Sequence, residues 1–492
     1  MKIALSAAAK LDSSGRQKLA VQALSGQVAV QALADDNAVS RKFVYTLKDK
    51  ASLVLSKAFG PAVSDDGVLF ELPVTPGWLK QMMVALTLIG RCSIRGVVEL
   101  MRDLIGVNVS EGHVFNVLQD AAQRASLVNG AQDLSVIRVG LHDEIFQGNQ
   151  AVLAGVDAQS TYCYLLSGED ARDADTWAIR LWDAAEQGFK PHYTIADQGT
   201  GLRAGQQLAL PGTPCHGDVF HILQQCESLV NVLTTMAQGA ATHCQAVQKQ
   251  MDEAALQGRS QALAHPLGKA RRAELSSARV AKDIKILTQW LRLDVLGLAG
   301  PCLTTRLELF DFVTQEFLAR EHLNPKRIRK VRIALQNQRN DLLAFAGVLD
   351  SKLSGIATMH SVPDRIVRAV CTLHRKHPTS STYWQAWNKL RHDLGGKFYI
   401  VKAAVTQALE QTPRCSSLVE NLNSRLRTYF TLRRQVGNTY LGMLQFFLNH
   451  RRFMRSRVPE RAGKSPCELL TGKAHAHWLT LLGFGQLQPL RA

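Results

Sequence analysis

The chain has 492 residues, 46% of them hydrophobic and 20% charged, which is enough for several domains that each bury a core. Lys and Arg number 58 against 41 Asp and Glu, a formal charge of +17, and because the positives recur in every region they point to a polyanion rather than to one basic tail. The nine cysteines form no CxxC pair and no Cys/His quartet, so neither a disulfide framework nor a zinc finger is read, and a reducing cytoplasm fits.

At the start, MKIALSAAAK has too short an apolar core before Lys10 and Asp12 for a signal peptide. The most apolar run, around Met82 to Ile89, is far too short to span a bilayer, and no membrane partner is expected. Residues 1 to about 125 read as helices joined by short turns. Val28, Val30, Leu33 and Ala34 give one apolar face, Asp36 to Ala38 turn the chain, and Ser40 caps a helix carrying Arg41, Lys42, Tyr45 and Lys48. This is a helix-turn-helix pattern whose second helix offers side chains to a major groove. A strand is expected at Val68 to Leu72. The helical pattern then repeats: Ser93 opens a helix that Gly106 ends, and Ser110 caps another with His113, Asn116 and Gln119. Two such units on a basic chain point to DNA binding; the plainer reading is a structural bundle.

From about Ser135 the period becomes strand-like. VIRVGLHDEIF, AVLAGVDA and TYCYLLSG read as three consecutive strands with hairpin connections. ADTWAIRLWDAAEQG follows as an amphipathic helix, PHYTIADQG as a short strand ending at Asp197, then a helix around Leu202 to Leu208, and CHGDVFHILQQCESLV as strand passing into helix. That order is an α/β layer. About Leu229 to Gln411 there is almost no strand pattern. This stretch holds two strongly basic segments, Lys269 to Lys285 (with Arg271 and Arg272) and Lys326 to Arg332 (with Arg327, Arg329 and Lys330), and an aromatic cluster at Tyr383 to Trp387. The aromatics serve either core packing or stacking on a displaced base.

Pro413 to Leu432 reads as a basic helix carrying one acid. Glu420, Asn423 or Ser424, and Arg427 share a face, Leu418, Leu422, Leu426 and Tyr429 or Phe430 the other, with Arg425, Arg433 and Arg434 adding charge. A further helix, YLGMLQFFLNHRRFMRSR, ends in arginines. Asp143 and Asp197 each sit at an expected strand end. Carboxylates brought together from such ends suit hard divalent cations, and a pair of ions about 4 Å apart stabilises both oxygens of a phosphoryl displacement.

The order of three strands, a helix, a strand with a second Asp, and finally a helix with Glu resembles the RNase H-like core of DDE transposases from bacterial insertion sequences. DEIF, IADQG and VENLNSRLR resemble its three acidic motifs. DVFH, Asp218 to His221, resembles the motif that follows the second acid in members whose core is split by a helical insertion, and FLNHRRF with KSPCELLTG resembles their tail. The resemblance implies Asp143, Asp197 and Glu420 as catalytic ligands of two magnesium ions, with manganese able to substitute, and Asp218 and His221 near the site. It implies a multidomain α + α/β chain: a helix-turn-helix region over 1–125, an RNase H-like α/β core over 126–228 and 412–455, an all-helical insertion over 229–411, and a tail over 456–492. The implied function is a DNA transposase that binds terminal inverted repeats, cleaves and transfers strands, and works as a homodimer or larger oligomer in the bacterial cytoplasm.

Several acids have plainer roles. Glu144 must point to the opposite sheet face from Asp143, so at most one of them is a ligand. Asp157 reads as a turn residue, and Glu410, the rival to Glu420, lies beside a helix break. No GxSxG elbow or P-loop is present, which argues against a serine nucleophile or ATP chemistry. A structure-specific nuclease on the same core and a catalytically silent DNA-binding regulator remain as alternatives.

Overall fold

A computed structural model describes residues 11–60, 70–259, 261–432, 437–456, 458–485 and 490–491. Arg433 and Arg434, and the first two residues of the strand expected from Val68, lie outside the described residues. The chain divides into two compact units, Met1–Val74 with Leu487–Ala492, and Thr75–Gln486.

The smaller unit is built on α1 (Ser13–Ser25), α2 (Val30–Asp36) and α3 (Arg41–Phe59). Asp12 caps α1 by accepting from the Gly15 amide at 2.7 Å, and Ser40 caps α3 by accepting from Phe43 at 3.2 Å. Leu19, Ala23, Leu33, Ala34 and Val44 close a small core, which leaves Arg41, Lys42 and Tyr45 exposed on α3. β1 (Phe70–Glu71) pairs antiparallel with Leu490–Arg491.

In the larger unit, α4 (Pro76–Leu88), α5 (Ile94–Ile105) and α6 (Glu111–Gly130) come first. Ser93 and Ser110 cap α5 and α6, and Gly106 ends α5 at φ 71. The unit boundary falls at Val74 rather than near 125. The reason is packing: Val84, Val97, Met101, Val114 and Val117 have no core of their own and bury against the strand residues Leu141 and Ile145.

Five strands follow: β2 (Val139–Gln147), β3 (Gln150–Asp157), β4 (Cys163–Glu169), β5 (Tyr193–Ala196) and β6 (Cys215–Gly217). Their order in the sheet is β4-β3-β2-β5-β6. β2, β3 and β4 are antiparallel neighbours, while β2, β5 and β6 run parallel. α7 (Ala174–Glu186) and α8 (Thr200–Ala209) cover one face through Trp177, Leu181 and Leu202. They approach so closely that a Cβ on Gly205 would lie 2.5 Å from that of Trp177, which is why glycine stands there.

Every regular element among the described residues of the expected insertion is helical: α9 (Val219–Leu256), α10 (Gln261–Trp290), a π turn (Leu291–Val295), α11 (Leu303–Glu321), α12 (Pro325–Asn337), α13 (Arg339–His360), α14 (Asp364–Leu373), α15 (Ser381–Leu394), a 3-10 turn (Gly395–Lys397) and α16 (Phe398–Glu410). No break occurs near 228, because α9 runs unbroken out of the sheet layer. Two apolar cores hold the insertion, and α13 serves both, Leu342 and Phe345 in one and Leu349 and Leu353 in the other. The same helix lies against β6, where a Cβ on Gly217 would be 3.1 Å from the Leu342 amide. Arg203 of α8 also pairs with Asp341 of this helix, at 2.7 Å. Arg306, fully buried, is satisfied by the carbonyls of Val295, Gly297, Leu298 and Pro301, closing the π turn.

After the insertion come α17 (Ser417–Phe430) and α18 (Asn438–His450) on the free face of the sheet, then α19 (Pro466–Thr471), opened by a Ser465/Glu468 capping box, and α20 (Trp478–Leu481). Among the described residues one helix, α13, is long and apolar enough to cross a membrane. Here it is an insertion core helix. Cys163, Cys215, Cys226, Cys244, Cys302, Cys371, Cys415 and Cys467 are free thiols.

Candidate metal centre

Strand alternation decides which acid of the Asp143–Glu144 pair can meet α17. Val139, Leu141, Asp143 and Ile145 share one face of β2, the face that buries Val419, Leu422 and Leu426. Glu144 turns to the other face, where Arg172 donates to it at 2.9 Å and the Trp177 indole at 3.0 Å. Asp143 is therefore the acid of the pair that faces α17. It lies within β2 rather than at its end, because the hairpin with β3 continues to Gln147. The parallel pairing with β5, however, stops at Leu141 with Ile195. Two further steps in that register bring Asp143 level with Asp197.

His221 occupies the first turn of α9. Asp218 caps that helix, accepting from the Phe220 amide at 2.8 Å. It also accepts from the Ser416 amide at 3.2 Å and from the Ser416 hydroxyl, 198 positions away in the chain. Ser416 directly precedes α17, so this clip ties the exit of the insertion to its entry and sets Glu420 one turn further on. His221 Nε2 lies 3.6 Å from Glu420 Oε1 and 3.5 Å from Asp218 Oδ2.

The result is a closed cluster. One ligand atom each from Asp143, His221 and Glu420 lies within 4.8 Å of the others. Asn423, one turn after Glu420, donates to Asp143 Oδ2 at 2.8 Å, and the Glu144 amide holds Oδ1 at 2.8 Å. Burial pushes the Asp143 carboxyl up to about 7, opposed by the Glu144 amide and His221 and reinforced by the charges of Glu420 and Asp197. A carboxylate buried beside two other acids stays ionised most readily with a cation between them. The donor set fits a divalent ion, and His221 Nε2 is buried with no hydrogen-bond partner among the described residues, as an unfilled ligand atom would be. Two oxygens and an imidazole nitrogen suit manganese or zinc at least as well as magnesium, which prefers oxygen alone.

The sequence expectation of Asp143, Asp197 and Glu420 is thus altered in one place. Asp197 is not in the closed cluster and His221 is. The Asp197 carboxylate is engaged by the Gly199 amide at 2.8 Å, a turn that opens α8, and its carbonyl by Arg203 at 2.9 Å. It remains near enough for its charge to raise Asp143. The signal for His221 was the three-residue spacing of DVFH, which places cap and imidazole on one turn. Asn423 was expected on the exposed face with Glu420; it is buried, reaching Asp143.

Other expected residues fall as follows. Glu410 ends α16 and lines a separate cavity with Arg138 and His192. Asp157 accepts from the Ser160 amide at 2.7 Å and is a turn residue. Lys269, Arg271 and Arg272 on α10, Lys326, Arg327, Arg329 and Lys330 on α12, and Arg427 on α17 are exposed. The basic helices do have acidic partners in places: Glu321 of α11 meets Arg332 at 2.5 Å and Arg329 at 3.7 Å. Arg425, expected among the DNA-binding arginines, is half-buried, and desolvation lowers its pKa. Trp387 packs on Phe398 with ring centres 5.1 Å apart, while Trp384 is 50% exposed. No model of a known protein family matches this chain, and no curated protein matches it.

Proposed function

We propose that this chain is a DNA transposase of DDE type with an RNase H-like core split by a helical insertion. The observation that carries the reading is the meeting of Asp143, His221 and Glu420 from a strand, a helix start and a helix beyond the insertion, on a chain of charge +17. The strand order, with three antiparallel members followed by two parallel ones, supports it. Asp143, His221 and Glu420 would hold one divalent ion, and Asp197, whose charge reaches Asp143, would share a second. Bound there, such an ion would supply Lewis acidity toward a phosphodiester oxygen and would lower the pKa of a bound water towards neutral. Asn423 fixes the rotamer of Asp143, and the Asp218–Ser416 clip fixes the start of α17. Hydrolysis at an element end frees a 3′ hydroxyl, which attacks target DNA with no covalent protein intermediate. α3 and α6 are the candidate readers of terminal inverted repeats, through Arg41, Lys42 and Tyr45 in the first case. Acting on two ends calls for at least a homodimer, in the cytoplasm at the nucleoid.

A histidine in the cluster, with Asp197 outside it, favours one second reading: a nuclease that uses a single ion on the same core. Incubation of the protein with DNA ending in the element's repeats, a target plasmid and Mg2+ or Mn2+ separates the two. The transposase joins repeat ends to the plasmid; the nuclease cuts without joining. A protein that binds the repeats and does neither would be a DNA-binding regulator.

A further inference from the structure

Glu420 occupies one stripe of α17, and Ser417, Asn421 and Arg425 form another, about 100° round the helix. This second stripe lines a cavity of about 330 Å³ together with Arg455 and Arg461. No aspartate or glutamate lines it among the described residues. Arg461 is tethered through the Gln159 carbonyl at 3.0 Å. The Arg425 guanidinium is half-buried and meets no carboxylate or hydrogen-bond acceptor among the described residues. Two more arginines add to the positive field around it, Arg91 over the Tyr429 ring at 5.2 Å and Arg451 over the Phe447 ring at 5.6 Å.

Withdrawing a guanidinium from water among like charges is costly unless an anion joins it. The planar donor fork of arginine matches the oxygens of a phosphate, and Ser417 and Asn421 add neutral donors. The cavity is also close to the metal centre. Val156, which lines it, pairs with Leu141, two residues before Asp143 on β2, a step of about 7 Å along a strand.

We infer that the arginine cavity beside the Glu420 helix is a phosphate-binding subsite that takes a backbone phosphate of the nucleic-acid strand reacting at Asp143 and Glu420. The inference rests on the proposed function. It gives Arg425 a separate task from the exposed lysines and arginines of α10 and α12: it holds the strand in register with the reacting phosphodiester.

The test uses the full chain carrying Glu420→Gln, which prevents cleavage, with and without Arg425→Gln, binding a labelled oligonucleotide across a salt series. Arg425→Gln is expected to weaken binding about tenfold and to make the log–log salt slope shallower by about 0.7 to 0.9, the share of one phosphate. Arg455→Gln, at an exposed position, is expected to act in the same direction and covers the case in which the Arg425 variant fails to fold. A second arm measures the melting temperature of the otherwise wild-type chain, with and without Arg425→Gln, in inorganic phosphate. If both arginine variants keep the affinity and slope while the wild-type chain still cleaves DNA, the subsite is refuted and the proposed function stands. If the wild-type chain neither binds nor cleaves nucleic acid, yet phosphate raises its melting temperature only when Arg425 is present, the cavity takes free phosphate. That result overturns the strand assignment together with the proposed function.

Discussion

Asp218 is the structural hinge pin of the site, and its removal should be felt in stability and in metal binding alike. Its carboxylate is 1% exposed and accepts from the amides of Phe220 and Ser416 and from the Ser416 hydroxyl. Loss of an N-cap costs about 1 kcal/mol. A hydrogen bond to a charged group is worth about 1.5 to 3 kcal/mol, and three donors would be left buried. Asp218→Ala is therefore expected to lose about 3 to 5 kcal/mol in urea denaturation. Asp218→Asn, which keeps one acceptor oxygen, should lose less. Because Ser416 precedes α17, both variants should also bind Mn2+ more weakly although Asp143, His221 and Glu420 are intact. Ser416→Ala alone should cost about half as much, and the double variant less than the sum by about 1 to 2 kcal/mol, since the two side chains share a bond. Strict additivity, or unchanged stability in Asp218→Ala, would refute the clip.

Two further outcomes are expected. Burial lowers His216 and His450 to about 4, against about 6.5 in the unfolded chain, so the unfolded state takes up protons first and stability falls as pH drops from 6.5 to 4. Asp143, raised to about 7, works in the opposite sense in the metal-free protein, so the clean readout is a comparison: between pH 7 and pH 4, His450→Leu should lose about 2 to 3 kcal/mol less than the unmodified chain. On α3, Arg41→Ala should cost about 1 to 3 kcal/mol of binding and relax specificity at one base position if the helix reads bases; equal weakening on repeat and random DNA would mark Arg41 as a phosphate contact.

Much of the fold was legible because local chemistry agreed with the final packing. Ser40, Ser93 and Ser110 cap the helices expected from them, Gly106 ends α5, and the apolar runs from Val139 to Glu169 form three antiparallel strands. What sequence could not supply was tertiary. The second helical pair looks like the first until its apolar side chains are seen buried against the sheet. Glu321 neutralises part of α12 from another helix. Asn423 was misplaced, and Arg425 left unplaced, because a two-faced reading of α17 leaves out its flanks. The helix buries Leu422 and Leu426 against the sheet core, reaches Asp143 through Asn423, and lines a cavity through Arg425. Asp143 and Glu420 were legible as candidate ligands from acidic runs at those places in the strand order, and both lie in the closed cluster. His221 was only adjacent in that reading, since nothing in DVFH says that its imidazole will meet a glutamate 199 positions later.

The central claim is that Asp143, His221 and Glu420 form one metal centre, and Mn2+ binding followed by electron paramagnetic resonance tests it most directly. Asp143→Asn, His221→Ala and Glu420→Gln, each shown to be folded by circular dichroism, should every one weaken Mn2+ binding at least tenfold and change the signal of the bound ion. Two combined substitutions should do little more harm than one, because ligands of a single ion act as a unit. Mn2+ binding unchanged in Glu420→Gln or in His221→Ala would contradict the account.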